Sequence, residues 1–270
     1  MLIDPQINPA PFDRNKIISG LVESIFTKNL ILHQKINSTN TLAKELALKG
    51  APHGTLVLAE EQAAGKGRLD RKWLSQGHEN LLFTILLRPT LNADNIFPLT
   101  MILAVSAIDT IKEMTGLKVL IKWPNDLYIS RKKLAGILTE FSIKEGSVEY
   151  VIIGLGINVN WMPGEGAGLL YPATSILAES GRRVSRDTLL TGILRRFEMS
   201  YEKVLSGKID ELHSRWSELS LVIGEDVELI SLDEVIKGKA IAIDREGALI
   251  LENSMGEERR ILSGDVSLRL

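Results

Sequence analysis

Cysteine is absent from the 270 residues. A disulfide framework and thiol chemistry are therefore excluded, and the composition fits a reducing, cytoplasmic compartment. No apolar run is long enough to cross a bilayer, and the opening MLIDPQINPAPFDRNK carries no apolar signal core. Charge of one sign is not in excess: 32 Lys and Arg stand against 34 Asp and Glu, a net of −2. The chain as a whole lacks the basic footprint of a nucleic-acid binder. Its four histidines, His33, His53, His78 and His213, have no neighbour at metal-ligand spacing. No repeat recurs at solenoid or propeller period. No Gly-Lys pair is followed by Ser or Thr, which excludes a P-loop.

What is present is enough chain for one large domain, or a large one with a small one, around a substantial core. Residues 1–15 are rich in Pro and Asn and predict a loosely ordered extension. Apolar residues at Ile17, Ile18, Leu21, Val22 and Ile25 predict a short amphipathic helix over 16–26. Residues 30–36 read as a strand, after which Ser38 or Thr39 caps a helix to about residue 49. Strands follow at 55–59 and 80–87, and a helix at 98–115 is stopped by Gly116. The closely spaced runs 119–123, 127–129, 134–141 and 149–158 predict antiparallel hairpins. A Gly-rich loop at 161–173 and helices at 186–205 and 209–219 come next. Beyond 221 the pattern changes to short β-prone runs at 227–230, 235–243, 249–251, 259–262 and 266–270, a small all-β barrel. The fold class is α+β: a mixed, largely antiparallel sheet flanked by helices, with a C-terminal barrel. The divisions fall at 1–29, 30–220 and 221–270.

The cations are concentrated locally. GKGRLDRKW, residues 65–73, holds two glycines, the four cations Lys66, Arg68, Arg71 and Lys72, and a closing Trp73. In a near-neutral chain this favours a small anionic ligand over a polyanion. Gly65 and Gly67 let backbone N–H groups approach a ligand, and the two arginines offer planar forks for carboxylate or phosphate. The run is no dinucleotide fingerprint, because Asp70 replaces the third glycine and no helix pattern follows. GLGIN at 154–158 fails too, being followed by Val159. Taken alone, GKGRLDRKW reads equally well as a solvated basic loop.

Four segments occur together: NSTN (37–40), EQAAGKGRLDRKW (61–73), KWPNDLY with KLAGILTE (122–128 and 133–140), and IGLGINVN (153–160). In this order and spacing they closely resemble the biotin–protein ligases. The resemblance runs from about residue 30 to the C-terminus, since that family also ends in a small SH3-like barrel. It implies a biotin/lipoate ligase-like catalytic fold, related to class II aminoacyl-tRNA synthetases. It implies two steps: biotin and ATP give biotinyl-5′-AMP and pyrophosphate, then a lysine of a biotin carboxyl carrier protein displaces AMP. No enzyme nucleophile is required, in keeping with the missing thiol. Acetyl-CoA carboxylase or a similar enzyme would supply the carrier, and Mg²⁺ would accompany ATP.

The resemblance also implies roles residue by residue. Ser38, Thr39, Asn40 and Gln62 lie against the biotin head, although Ser38 and Thr39 are helix-capping residues in any case. Gly65, Gly136, Gly154 and Gly156 border biotin; for glycines in strands the alternative is a bulge or close packing. Arg68 covers the biotin carboxyl and the adenylate phosphate. Lys66 stands where arginine is commoner, a point charge for a fork. Gly67, Arg71 and Trp73 serve the nucleotide, with Asn125, Asn158 and the C-terminal Arg269. Leu69 and Asp70 depart from the commoner Arg-Gly pair. Lys122 neutralises a phosphate, and Asp126 is the candidate for Mg²⁺, directly or through water. Pro-Asn-Asp before a strand is equally an ordinary turn. Lys133 is the foremost catalytic candidate, beside Arg68 and Lys122, meeting the charge that builds on carboxylate and α-phosphate. The loop is expected to be open when empty and ordered over the intermediate.

Many members of the resembled family carry an N-terminal winged helix and repress transcription. About 29 residues precede the first strand here, below the roughly 50 of an independent domain. The expectation is a short form with neither DNA nor membrane as a partner; a homodimer is allowed as well as a monomer. Lipoate–protein ligase is the alternative of shared fold and chemistry, disfavoured by KWPND with KLAGIL. A non-catalytic biotin-binding regulator is a third reading, against which Lys133 and Asp126 together argue.

Overall fold

The computed structural model describes residues 10–69, 71–75, 77–92, 95–162, 172–231, 234–262 and 264–268. Asp70, Arg269 and most of the Gly-rich stretch at 161–173 lie outside them. The first element is α1 (Arg14–Gly20), capped by Asp13, whose carboxylate accepts from the N–H groups of Asn15 and Lys16. The helix is shorter than its apolar spacing suggests and begins earlier. Val22, counted into the stripe, is 71% exposed, whereas Leu21 and Ile25 reach the core from the turns that follow the helix.

A seven-stranded sheet forms the body. Its strands are β1 (Leu30–Ile36), β2 (Thr55–Gln62), β5 (Asn80–Leu87), β6 (Leu120–Lys122), β7 (Asp126–Ile129), β8 (Lys132–Lys144) and β9 (Ser147–Asn158). Between β2 and β5 lies a separate two-stranded hairpin, β3 (Gly65–Lys66) with β4 (Lys72–Trp73). The body's order is β1-β2-β5-β9-β8-β7-β6. Only β1 and β2 pair in parallel, joined by the crossover helix α2 (Thr39–Leu48); the rest is antiparallel. Ser38 starts α2, its hydroxyl accepting from the Thr41 N–H.

Helices α3 (Phe97–Thr115), α5 (Arg186–Leu205) and α6 (Asp210–Glu218) cover one face, and the short α4 (Ile176–Ser180) precedes α5. α3 carries Pro98 in its first turn, where a missing N–H is harmless, and ends on Gly116 at φ 76°. Leu81, Phe83, Ile85 and Leu87 of β5 and Ile153, Leu155 and Ile157 of β9 meet these helices in the main core. On the opposite face α2 packs Ala43 and Ala47 against Val57, Leu86 and Ile152. α2 reaches only part of this face. The remainder, over the last third of β9, is left for the site.

Beneath the main core's edge, Arg186 of α5 pairs with Glu60 of β2 at 2.7 Å, both buried. Glu60 also accepts from the Phe12 N–H, while Arg186 donates to the carbonyls of Ala10 and Asn80 and lies 3.9 Å from the Phe12 ring centroid.

The C-terminal unit is a five-stranded antiparallel sheet of β10 (Asp226–Ser231), β11 (Glu234–Ile243), β12 (Leu249–Glu252), β13 (Glu258–Ile261) and β14 (Asp265–Leu268), in the order β13-β12-β11-β10-β14. It agrees with the expected SH3-like barrel. The Trp123 Nε1–H donates to the Gly247 carbonyl, and Ile121 exchanges backbone hydrogen bonds with Leu219 and Leu221. The barrel is thus bonded to the KWPND segment itself. Among the described residues no helix is long and apolar enough to cross a membrane.

Candidate active site

A cavity of about 880 Å³ opens over the uncovered part of the sheet. Its floor follows from strand alternation. Gly154, Gly156 and Asn158 of β9 share one face while Ile153, Leu155 and Ile157 enter the core. Gly136 of β8 lies in register with Gly156. Two adjacent missing side chains leave a depression, and the Trp73 indole rests in it. A Cβ on Gly156 would stand 2.7 Å from Trp73 Cε2, and one on Gly136 would stand 3.3 Å from Trp73 Cζ3 and 3.2 Å from Asp126 Oδ1. The glycines therefore serve close packing, and the ladder between β8 and β9 is unbulged along this stretch. Gly156→Ala is expected to displace the indole and to cost about 1–3 kcal/mol, the usual range for overpacking, measurable by chemical denaturation.

Lys133 reaches the cavity because of a bulge. Leu127 faces Ala135 whereas Tyr128 faces Lys133, so one extra residue is inserted on β8. Leu134 and Ala135 both turn into the core, and Lys133 joins Gly136 at the cavity. Its Nζ bonds Asp126 Oδ2 at 2.7 Å and stands 5.7 Å from the Trp73 ring centroid. Its backbone is held by Pro172 and Thr174. Next along, Lys132 bonds Glu179, whose carboxyl is held below the ordinary range, first by the Thr174 hydroxyl and then by Lys132.

At the other end are Ser38, Thr39, Asn40 and Gln62. Gln62 Oε1 accepts from both the N–H and the hydroxyl of Thr39, and its Nε2 lies on the Gly65 side. Asn40 is different. Its Nδ2 donates to Leu138 O and Glu140 Oε2, and its Oδ1 accepts from Thr84. Both amide hydrogens are used, so Asn40 fixes the start of α2. Gly154 makes room for it: any Cβ there would collide with Asn40 Oδ1. Glu140 and Thr84 escaped the sequence reading. Glu140 closes the KLAGILTE segment, but nothing local identifies its partner 100 positions away.

The ends of the charged run pair as a short hairpin. Gly65 pairs with Trp73 and Lys66 with Lys72, and the Gly67 N–H donates to Arg71 O at 2.7 Å. A Cβ on Gly65 would lie 2.6 Å from Trp73 O, so only glycine permits this pairing. Leu69 adopts φ 53°, backbone that glycine would take more readily. Arg68 reaches across to Asn125 Oδ1 at 3.4 Å, and Asn125 itself bonds Ile137 O. Lys122 Nζ stands 5.4 Å from the Tyr128 ring centroid. Lys66, Gly67, Arg68, Arg71, Trp73, Lys122, Asn125, Asp126 and Lys133 thus line one cavity with the neutral polar end and the glycine floor. Gly65 stands just behind it, near Gln62. Arg269 lies outside the described residues.

Among the described residues no three His, Asp or Glu side chains gather to hold a metal. Among the described residues that line the cavity, Asp126 is the one carboxylate, set among cations. That donor set fits Mg²⁺ brought on nucleotide phosphates, the usual mode for this ion.

The mixed sheet carries a cation-walled trough suited to an anionic ligand. Residues 32–158 match the biotin/lipoate A/B protein ligase family, and residues 222–269 match the biotin protein ligase C-terminal domain. The chain is 37% identical to the bifunctional ligase/repressor BirA of Bacillus subtilis over 261 residues, 96% of this chain and 80% of that one. It is 30% identical to the biotin–[acetyl-CoA-carboxylase] ligase of Paracoccus denitrificans over 228 residues, 83% of this chain and 94% of that one. The biotin protein ligase of Aquifex aeolicus, solved in complex with biotin and ATP, superposes with a TM-score of 0.75 at 31% identity, covering 90% of this chain and 99% of that one. The chain belongs to the biotin protein ligase family.

Proposed function

We propose that this ligase joins biotin to ATP as biotinyl-5′-AMP and passes the biotinyl group to a lysine of a biotin carboxyl carrier protein. The observation that carries the reading is the placement of Lys133 by a bulge at the middle of a trough with a neutral polar end and a cationic wall. In the first step a biotin carboxylate oxygen attacks the α-phosphorus and pyrophosphate leaves. In the second the carrier amine attacks the acyl carbon, AMP leaves, and the amine loses its proton.

Biotin's ureido head belongs at the neutral end. Ser38 accepts from Thr41, so its hydroxyl hydrogen is available to donate, as are the Gln62 amide hydrogens. Lys133, Arg68 and Lys122 meet the carboxylate and α-phosphate, with Lys66 and Arg71 toward the remaining phosphates. Asp126 holds Mg²⁺, which neutralises phosphate charge when bound. Trp73, Asn125 and Asn158 border the nucleotide. The catalytic unit is placed at 30–220, the barrel at 221–270 and the extension at 1–29; the compartment is cytoplasmic. The test is pyrophosphate release with ATP and either biotin or lipoate. Release with lipoate alone selects the alternative ligase, and release with neither leaves a binding protein.

Arg68→Gly tests the hairpin as a clamp. Charge-assisted hydrogen bonds are worth roughly 1.5–3 kcal/mol, so biotinyl-AMP should escape about tenfold to more than a hundredfold faster. The free mixed anhydride acylates bystander lysines. Albumin labelled no faster by the variant than by the wild type, with adenylate still formed, would remove the hairpin from this role.

A further inference from the structure

Buried polar side chains almost always have a hydrogen-bond partner, and an orphan asks for an explanation. Among the described residues five buried side-chain atoms have none. Two of the five belong to residues lining the cavity, Trp73 Nε1 and Asn80 Oδ1. Asn80 is the sharper case. It is 2% exposed, begins β5, and is paired in register with Asn158. Its backbone is immobilised, because the buried Arg186 donates to its carbonyl at 3.0 Å. Asn158 spends its own Nδ2 on Thr174 O.

Position along the floor says what the orphan meets. Gly154, under Asn40, and Asn158 are four residues apart on β9, about 13 Å at strand rise. The neutral ureido-binding end is therefore remote from Asn80. The cations Lys133, Arg68 and Lys122 line the same cavity, between these ends in the ligand arrangement proposed above. A nucleotide whose α-phosphate meets those cations directs its base toward the Asn80–Asn158 end. Resting on the adenylation reading, we infer that Asn80 recognises the exocyclic amine of the purine, which donates to its carboxamide oxygen. The oxygen has neither a partner to give up nor solvent contact to lose, so turning the carboxamide toward the base breaks no hydrogen bond of that oxygen. A 6-oxo purine would set acceptor against acceptor, which makes Asn80 a determinant of the choice of ATP.

The experiment is calorimetric titration with the biotin end filled by the alcohol analogue of biotin, which has no carboxylate to activate. Wild type should bind ATP about tenfold to a hundredfold more tightly than purine riboside triphosphate, which lacks only the amine. Asn80→Leu should bring that ratio close to one, and Asn80→Asp, which keeps an acceptor, should preserve it. The ratio cancels any general loss of affinity, so a role in folding alone does not move it. A wild-type ratio near one overturns the inference, whether or not the leucine variant folds. So does a ratio that survives in Asn80→Leu, or a loss seen with 2′-deoxy-ATP in place of the amine-free nucleotide. Pyrophosphate release with biotin is scored separately: its absence beside the expected binding ratios would refute the ligase reading and leave the base contact standing.

Discussion

Lys133→Ala should lower the rate of adenylate formation by about two to three orders of magnitude and alter biotin binding far less. The argument is one of differential binding. Negative charge spreads over the carboxylate and α-phosphate oxygens fully only in the transition state, so a cation placed there acts mainly on the rate. Removing one preorganised donor of this kind typically costs about 2.7–4 kcal/mol. The placement is rigid on the backbone side, since the Lys133 N–H and carbonyl are both bonded to the 172–174 segment. Its Nζ is committed to Asp126 at 2.7 Å, so substrate must compete with or share that carboxylate. The pair is partly exposed, and screening makes its contribution to folding small. The variant should consequently fold with nearly unchanged stability, which separates a catalytic loss from a structural one. Single-turnover pyrophosphate release is the measurement, and an unaltered burst in Lys133→Ala would falsify the assignment.

Much of this arrangement was legible because the signals are local. The apolar run of β5 needs no tertiary context, and Ser38 before an amphipathic stretch is a cap wherever it occurs. The bulge that turns Lys133 outward leaves a trace as well: Leu134 and Ala135 are consecutive apolar residues in a strand that should alternate. The glycines at 136, 154 and 156 were expected to border biotin, with a bulge or close packing as the alternative, and in this structure they make room for Trp73 and Asn40. Sequence shows that a side chain is missing, not what fills its place.

Other features had no local signal to read. Strands of two residues, Gly65–Lys66 and Lys72–Trp73, are too short for alternation, so the charged run resembled a loop. The apolar spacing past Gly20 does not mark a helix: Ile25 reaches the core from turn backbone, and Val22 does not reach it at all. Glu140 and Asn80 are unremarkable residues in strands until Asn40 and the cavity are placed beside them. Long-range pairing decides such roles, and one sequence carries no record of it.

The pair of Glu60 and Arg186, 126 positions apart, is the clearest instance, and its disruption should produce the largest loss of stability. Arg186→Met leaves the buried Glu60 carboxylate with only the Phe12 N–H and the half-exposed His78, 3.2 Å away, to offset its charge, and breaking a buried pair in this way typically costs about 3–5 kcal/mol. Against the 5–15 kcal/mol or so that holds a domain folded, this is a large fraction. The loss should not stop at the ion pair. Arg186 also bonds the carbonyls of Asn80 and Ala10, and Glu60 bonds the Phe12 N–H and precedes Gln62 on β2 by two positions. Both ends of the trough therefore loosen together, and the Michaelis constants for biotin and ATP should rise in parallel. Glu60→Gln combined with Arg186→Met removes both charges. It should recover a good part of the stability, because an apolar or neutral replacement of a whole buried pair is often close to neutral. Urea denaturation of the two single variants and the double variant tests the scheme. If Arg186→Met unfolds at the wild-type midpoint, or if the double variant is less stable than the sum of the singles, the pair does not anchor the trough.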